Sequence, residues 1–273
     1  MATLTIGVMT GMGPDPEPAY ASIRELGLTA CQLASWAPGS ITPELAEQHR
    51  LFAKQYGVTI SLFWCGYSGP AEWNYRGGPS TIGLVPPDYR RVRTAELKRG
   101  AEIAVWLGLT DMATHVGFLP PNPKDPNYIG AVDALKDITE YAGVRNIYFN
   151  FETGQETPMV LLRCFQDIGN PNLGINLDPA NLLMYGNANP VDALDIFGKY
   201  VRGVHAKDGE YPTNGYELGE EKPLGDGRVN FPVLVPKLKS CGYAGSLTIE
   251  REISGPQQIV DIKCAVELLT PLL

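Results

Sequence analysis

Eight short runs of β-forming residues, each followed by a stretch with helical spacing, leave this chain few architectures to choose from. Strands are predicted at Leu4–Met9, Ala30–Ala34, Val58–Trp64, Asp111–Val116, Ile147–Glu152, Gly174–Asp178, Val201–Ala206 and Ser246–Glu250. Helices are predicted over Glu17–Leu26, from Thr42 to near Gly57, over Arg90–Leu107 and Asn127–Tyr141, and from Thr157 to about Ile168. Three more follow at Pro190–Phe197, Phe231–Ser240 and Pro256–Leu269. Thr42, Pro43 and Glu44 read as an N-cap, a first-turn proline and a first-turn acid. No repeat or linker interrupts the alternation. A chain of 273 residues matches one barrel of about 250 residues. The expectation is an α/β fold, a single (β/α)8 barrel domain over 1–273. A doubly wound open sheet fits less well, because no G-x-G-x-x-G follows the first strand.

Four of the strand ends carry residues that bind metals. Ile147 to Gly154 reads I-Y-F-N-F-E-T-G, and Leu173 to Asn181 reads L-G-I-N-L-D-P-A-N. Val201 to Asp208 reads V-R-G-V-H-A-K-D, and Ser246 to Glu252 reads S-L-T-I-E-R-E. A parallel barrel gathers the C-terminal ends of its strands on one face, where active sites sit. Glu152, Asp178, His205 and Glu250 can therefore meet. Each alone has a plainer reading. Asp178 before P-A-N looks like an N-cap, His205 can be a core histidine, and Glu250 in E-R-E can belong to a salt-bridged rim. The four together are harder to obtain by accident. Three carboxylates and an imidazole suit one divalent cation, Mn²⁺ placed first, with Mg²⁺, Co²⁺ and Zn²⁺ as alternatives. Two glutamates on one cation can also act as an acid/base pair. One removes a proton next to a carbonyl, the other returns it, and the cation holds the enediolate charge.

Composition removes other classes. The net charge of -8 argues against a nucleic-acid surface, which wants a basic stripe, and against an anionic membrane. The five cysteines are scattered and never in C-x-x-C spacing, so a disulfide framework or structural zinc is not expected. The N-terminus shows neither a basic n-region nor a long apolar core, and a cytoplasmic location is the expectation.

The segments N-F-E-T-G, N-L-D-P-A-N, G-V-H-A-K-D-G and L-T-I-E-R-E, with P-L-G-D-G-R-V-N-F-P between the last two, resemble the sugar phosphate isomerase/epimerase family of xylose isomerase-like TIM barrels. The resemblance covers nearly the whole chain. It implies that Glu152, Asp178, His205 and Glu250 are metal ligands and that Glu152 and Glu250 are catalytic. It implies a metal-dependent isomerase or epimerase of a sugar or sugar-like hydroxyketone, a carbohydrate as partner, and a homo-dimer or homo-tetramer. Two positions depart from the family's ketose 3-epimerases. Asn181 stands where they carry a histidine, and Tyr211 where they carry an arginine. The trinuclear zinc site of the endonuclease IV branch cannot be built from His49, His115 and His205 alone. The H-x-K-D pattern is similar to inosose dehydratase-like members, so a lyase or dehydratase acting on a keto-sugar, keto-glycoside or inosose is the alternative. A non-catalytic carbohydrate-binding subunit is the second alternative.

Further candidates each carry a plainer reading. His115, Lys207, Asn181 and Trp73 are candidates for substrate binding. His115 can instead be a structural histidine, and Lys207 can pair with Asp208. Glu156 reads as a first-turn helix carboxylate, with acid/base work as the alternative. Trp64, Trp73 and Tyr67 can stack on a sugar or pack among themselves. The loop Cys65–Pro87, rich in Gly and Pro, is expected to be an ordered lid over the strand ends. Arg90, Arg91 and Arg93 read as a solvated helix face.

Overall fold

The computed structural model describes residues 4–273. Eight parallel strands close a barrel in the order β1 (Thr5–Gly11), β10 (Ser246–Ile249), β7 (Val201–Ala206), β6 (Leu173–Leu177), β5 (Tyr148–Glu152), β4 (Asp111–Thr114), β3 (Thr59–Cys65) and β2 (Ala30–Ser35). A two-residue antiparallel ribbon, β8 (Asp208–Gly209) with β9 (Glu221–Lys222), stands apart from it. Around the barrel run α1 (Glu17–Glu25), α2 (Pro43–Tyr56), α4 (Pro87–Trp106), α5 (Pro126–Gly143), α6 (Pro158–Ile168), α8 (Pro190–Phe197), α9 (Phe231–Ser240) and α10 (Pro256–Leu269). Two short helices, α3 (Gly78–Thr81) and α7 (Pro179–Met184), lie within connections that the sequence reading left as loops. No helix among the described residues is long and apolar enough to cross a membrane.

Local chemistry explains the helix ends. The Thr42 hydroxyl accepts from the Leu45 N–H at 3.2 Å, and Gly57 closes α2 with φ 63°. Thr157 and Gly169 repeat this pattern on α6. Both ends use a side-chain cap and a left-handed glycine to satisfy otherwise orphaned groups.

The period-2 pattern divides each strand between two environments. On β5, Phe149 and Phe151 pack outward with the helices in the main apolar core, while Asn150 reaches across to Asp111 at 3.1 Å. On β6, Ile175 and Leu177 join that core, while Gly174 leaves room for the Asn150 side chain; a Cβ at Gly174 would collide with it. Gly203 on β7 gives Asn176 the same clearance. The inner parity therefore carries Asn150 and Glu152, then Asn176 and Asp178, then His205, then Thr248 and Glu250. The lumen is polar, apart from a small cluster of Leu62, Trp64 and Ala113. Its base is closed by Arg202, whose guanidinium grips Asp111 at 2.6 and 3.0 Å.

The arginines that open α4 do not form one solvated face, contrary to the sequence reading. Arg91 is exposed, but Arg93 is fully buried. Its guanidinium donates to the carbonyls of Ser68 (3.0 Å), Pro70 (2.9 Å), Thr81 (2.6 Å) and Gly83 (2.8 Å). The Tyr67 and Tyr89 rings lie 4.3 and 4.6 Å from its Cζ. Arg90 donates to Leu84 and Val85. A planar five-donor fork suits a curved row of carbonyls better than an ammonium would. The segment between β3 and α4 is thus an ordered wall over the strand ends.

Candidate active site

Glu152, Asp178, His205 and Glu250 each present a ligand atom within 4.8 Å of the others. Each sits at the C-terminal end of its strand, or one residue beyond, on the inner parity. Asp178 serves two purposes. Its Oδ1 accepts the Asn181 N–H at 2.8 Å and caps α7, while Oδ2 is buried without a hydrogen-bond partner. The N-cap reading of Asp178 holds, and it leaves Oδ2 free for a second task.

His205 is oriented from behind. Its Nε2 lies 2.9 Å from Gln32 Oε1 and 3.0 Å from the Asn176 amide, and Gln32 Nε2 donates to Asn176 Oδ1 at 3.1 Å. Gln32 Oε1 can only accept and the Asn176 amide nitrogen can only donate, so the two amides compete for Nε2; the tautomer protonated on Nε2 is the one that satisfies Gln32. That leaves Nδ1 facing the carboxylates, 3.2 Å from Glu152 and from Glu250, outside hydrogen-bond geometry. The strand register shifts beside both amides, at Cys31/Gln32 and at Ile175/Asn176. Such irregularities re-aim side chains.

Three carboxylates share this site with Lys207 and two histidines. Burial pushes the Asp178 carboxyl up to about 7, with Lys207 opposing and Glu250 and Glu152 adding to it. Burial also works against charged Glu250, but Lys207 and His205 outweigh it and bring its carboxyl down to about 2. His115 and His205 likewise hold Glu152 well below the ordinary range against its burial. Glu152 further accepts from the Trp64 indole N–H and lies 3.2 Å from His115 Nε2. Lys207 Nζ sits 3.2 Å from Glu250, 3.0 Å from Glu252 and 3.6 Å from Asp178. With the Glu252 carboxylate left to solvent, Glu152, Asp178 and Glu250 would sum to neutrality with the Lys207 ammonium and one divalent ion. The donor set and the two orphaned atoms, Asp178 Oδ2 and His205 Nδ1, fit such an ion.

A cavity of about 330 Å³ opens above this set. His115, Trp73, Asn181 and Lys207 all line it. The family model of the xylose isomerase-like TIM barrel matches residues 20–269. The chain belongs to the xylose isomerase-like TIM barrel family. It is similar to a xylose isomerase domain protein from Planctomyces limnophilus, with 34% identity and a TM-score of 0.92 over 99% of this chain and 97% of that one. It is 33% identical to the uncharacterized protein MJ1311 of Methanocaldococcus jannaschii over 59% of this chain, a match spanning 58% of that relative's length. A D-psicose 3-epimerase shares the fold at 15% identity and a TM-score of 0.74, over 99% of both chains.

Not every reading of this xylose isomerase-like chain holds. Lys207 does not pair with Asp208. Asp208 instead accepts the N–H groups of Gly209, Gly225, Gly227 and Val229 at 2.9–3.2 Å and organises the P-L-G-D-G loop. Tyr67 takes no part in the cavity, and its hydroxyl accepts the Gly83 N–H at 2.9 Å. Glu156 precedes α6, and both its oxygens are buried without partners. The sequence reading missed Gln32 and Asn176, and also Trp36, Met184, Tyr185 and Leu218 on the cavity wall. An amide inside an otherwise apolar strand was the signal available for Gln32. The wall residues sit in connections and gave none.

Two predictions arise here. Gln32→Leu removes the acceptor that fixes the His205 tautomer, and divalent-metal affinity should fall about 10–100-fold. Gln32→Glu, which keeps the acceptor, should lose less. Competition with a fluorescent chelator checks both, and equal affinity in all three proteins would contradict the assignment. For Glu156, burial pushes the carboxyl up to about 8, with Glu152 adding and His115 opposing. The folded chain then holds one more proton than the unfolded chain between about pH 4.5 and 8, so stability falls as pH rises through that window. The loss is at most about 5 kcal/mol, at about 1.4 kcal/mol per pH unit. Glu156→Gln should remove it. Urea midpoints at about pH 5 and pH 8.5 test this, and parallel slopes in both proteins would refute it.

Proposed function

We propose that this barrel is a divalent-metal-dependent isomerase or epimerase of a sugar or sugar-like hydroxyketone. The observation that carries the reading is the convergence of Glu152, Asp178, His205 and Glu250 beneath a cavity of about 330 Å³. The sugar 3-epimerase among the structural neighbours supports a small carbohydrate as substrate.

In this reading the four residues hold the ion, Asp178 through Oδ2 and His205 through Nδ1. When bound, the ion supplies Lewis acidity at the substrate carbonyl. The remaining steps belong to the protein. One of Glu152 and Glu250 takes the proton from the carbon next to the carbonyl, and the other returns a proton to the substrate. The two carboxylates have different neighbours: Trp64 and two histidines around Glu152, Lys207 beside Glu250. Lys207, His115 and Asn181 are placed to orient substrate oxygens. Trp73, 4.8 Å from the His115 ring, helps exclude water.

The test begins with metal content. Protein reconstituted with Mn²⁺, Co²⁺, Mg²⁺ or Zn²⁺ should carry about one ion per chain by mass spectrometry, and Asp178→Ala should lose it. The loaded protein should then incorporate deuterium from D₂O next to the carbonyl of a hydroxyketone it turns over. Turnover without exchange would sink the isomerase reading. A second reading keeps the same residues but ends in release of water or an aglycone. It is favoured by Tyr211, which takes no part in the cavity wall, so a hydroxyl contact from that position is missing. Mass spectrometry of products separates the two. Absence of metal under every reconstitution would turn the assignment toward a binding subunit.

A further inference from the structure

The cavity has two unlike halves. The polar half holds the carboxylates, His115, Lys207 and Asn181. The other half is built from Trp36, Trp73, Met9, Ala34, Met184 and Leu218. Trp64 joins them: its N–H rests on Glu152, and its ring meets Trp36 edge-on at 4.8 Å. Trp36 in turn lies 6.2 Å from Trp73. Exposure rises outward along this aromatic series, from 6% at Trp64 to 39% at Trp73 and 49% at Trp36. Trp36 is seated against Gly66, where a Cβ would collide with its ring, so the indole is held in place. Two half-exposed indoles side by side at a cavity mouth form an apolar patch of the kind that marks a binding site.

We infer that the Trp36–Trp73–Leu218 side of the cavity is a subsite for an aromatic ring attached to the sugar-like ketone. The substrate class is then an aryl conjugate rather than a free sugar. This rests on the proposed function only for the polar half. A second sugar ring is the competing occupant, since indoles also stack on sugars. Met9, Ala34, Met184 and Leu218 offer no hydrogen-bonding side-chain group. Outside the polar half, only the indole N–H groups, the Tyr185 hydroxyl and Glu252 add such groups to the cavity lining, so a second sugar would bury more hydroxyls than it finds partners for. An aromatic ring buries none and gains edge and face contacts with two indoles. The cavity of about 330 Å³ lies at the lower end of small-molecule sites, about 300–1,000 Å³.

The test uses three probes on the metal-reconstituted protein: phenyl β-D-glucopyranoside, methyl β-D-glucopyranoside and cellobiose, followed by calorimetry and tryptophan fluorescence. The phenyl conjugate should bind at least about tenfold more tightly than the methyl conjugate, the order expected for one ring moved from water onto indoles. That ratio should fall toward one in Trp36→Ala and in Leu218→Ser, whose thermal midpoints are measured alongside. Leu218 is half-buried outside any helix or strand, so its variant guards against a folding defect at Trp36. Equal affinities in the native protein overturn the inference. So do a ratio kept in both variants, tighter binding of cellobiose, or no phenyl binding at millimolar concentration. Metal content and deuterium exchange read the polar half without Trp36, so failure of the subsite and failure of the proposed chemistry remain distinguishable.

Discussion

Glu152→Gln and Glu250→Gln should each lower deuterium exchange into a turned-over hydroxyketone by at least about 10³-fold, within the range general acid–base groups supply. Both changes preserve size and remove the charge. At Glu152 the effect goes further. The carboxylate accepts from the Trp64 N–H and faces His115 and His205. A glutamine can turn its oxygen toward only one side, so its NH₂ group meets a donor on the other. Metal affinity should therefore fall more in Glu152→Gln than in Glu250→Gln, where Lys207 is flexible enough to find another acceptor. Quantitative metal titration beside the exchange assay separates ligation from proton transfer. Full exchange in both variants would remove these residues from the chemistry.

Arg93→Met should cost about 2–6 kcal/mol of stability. It leaves the buried carbonyls of Thr81 and Gly83 without their donor, at about 1–3 kcal/mol for each unsatisfied group, while those of Ser68 and Pro70 can turn to water. Some relaxation and water entry will offset part of that sum. Arg93→Lys should recover little, because an ammonium cannot span Ser68, Pro70, Thr81 and Gly83 together. Chemical denaturation measures both. A shift below about 1 kcal/mol for Arg93→Met would mean that the wall is held by other contacts. The same variant should displace Trp73 and weaken its contact with His115, which indole fluorescence reports.

The eight strands were legible because their apolar residues had to alternate with inward polar ones. I-Y-F-N-F-E shows this directly: Phe149 and Phe151 face the helices while Asn150 and Glu152 face the lumen. The convergence of Glu152, Asp178, His205 and Glu250 was legible for the same reason, since strand ends in a parallel barrel share one face. Boundaries were less secure. β4 was read through Val116 but ends at Thr114, with His115 beyond the paired strand. Arg93 was misread because a guanidinium two and three residues from two others looks like a charged face. Its carbonyl cage exists only once the distant loop has folded over it. Helix α7 was missed because Asp178, Pro179 and Asn181 serve a six-residue helix too short for periodicity to reveal. Lys207 and Asp208 are neighbours in sequence, yet Lys207 meets the carboxylates while Asp208 holds backbone N–H groups of the loop that follows.

The Arg93 cage has a kinetic consequence. A wall already ordered before the ligand arrives imposes no ordering entropy on association. Encounter with a substrate should then proceed without a loop-closing step from that side, and product should leave past Trp73 without waiting for a gate to open. Any slow conformational phase in turnover would have to originate across the cavity, in the Asp208–Val229 connection that carries Leu218.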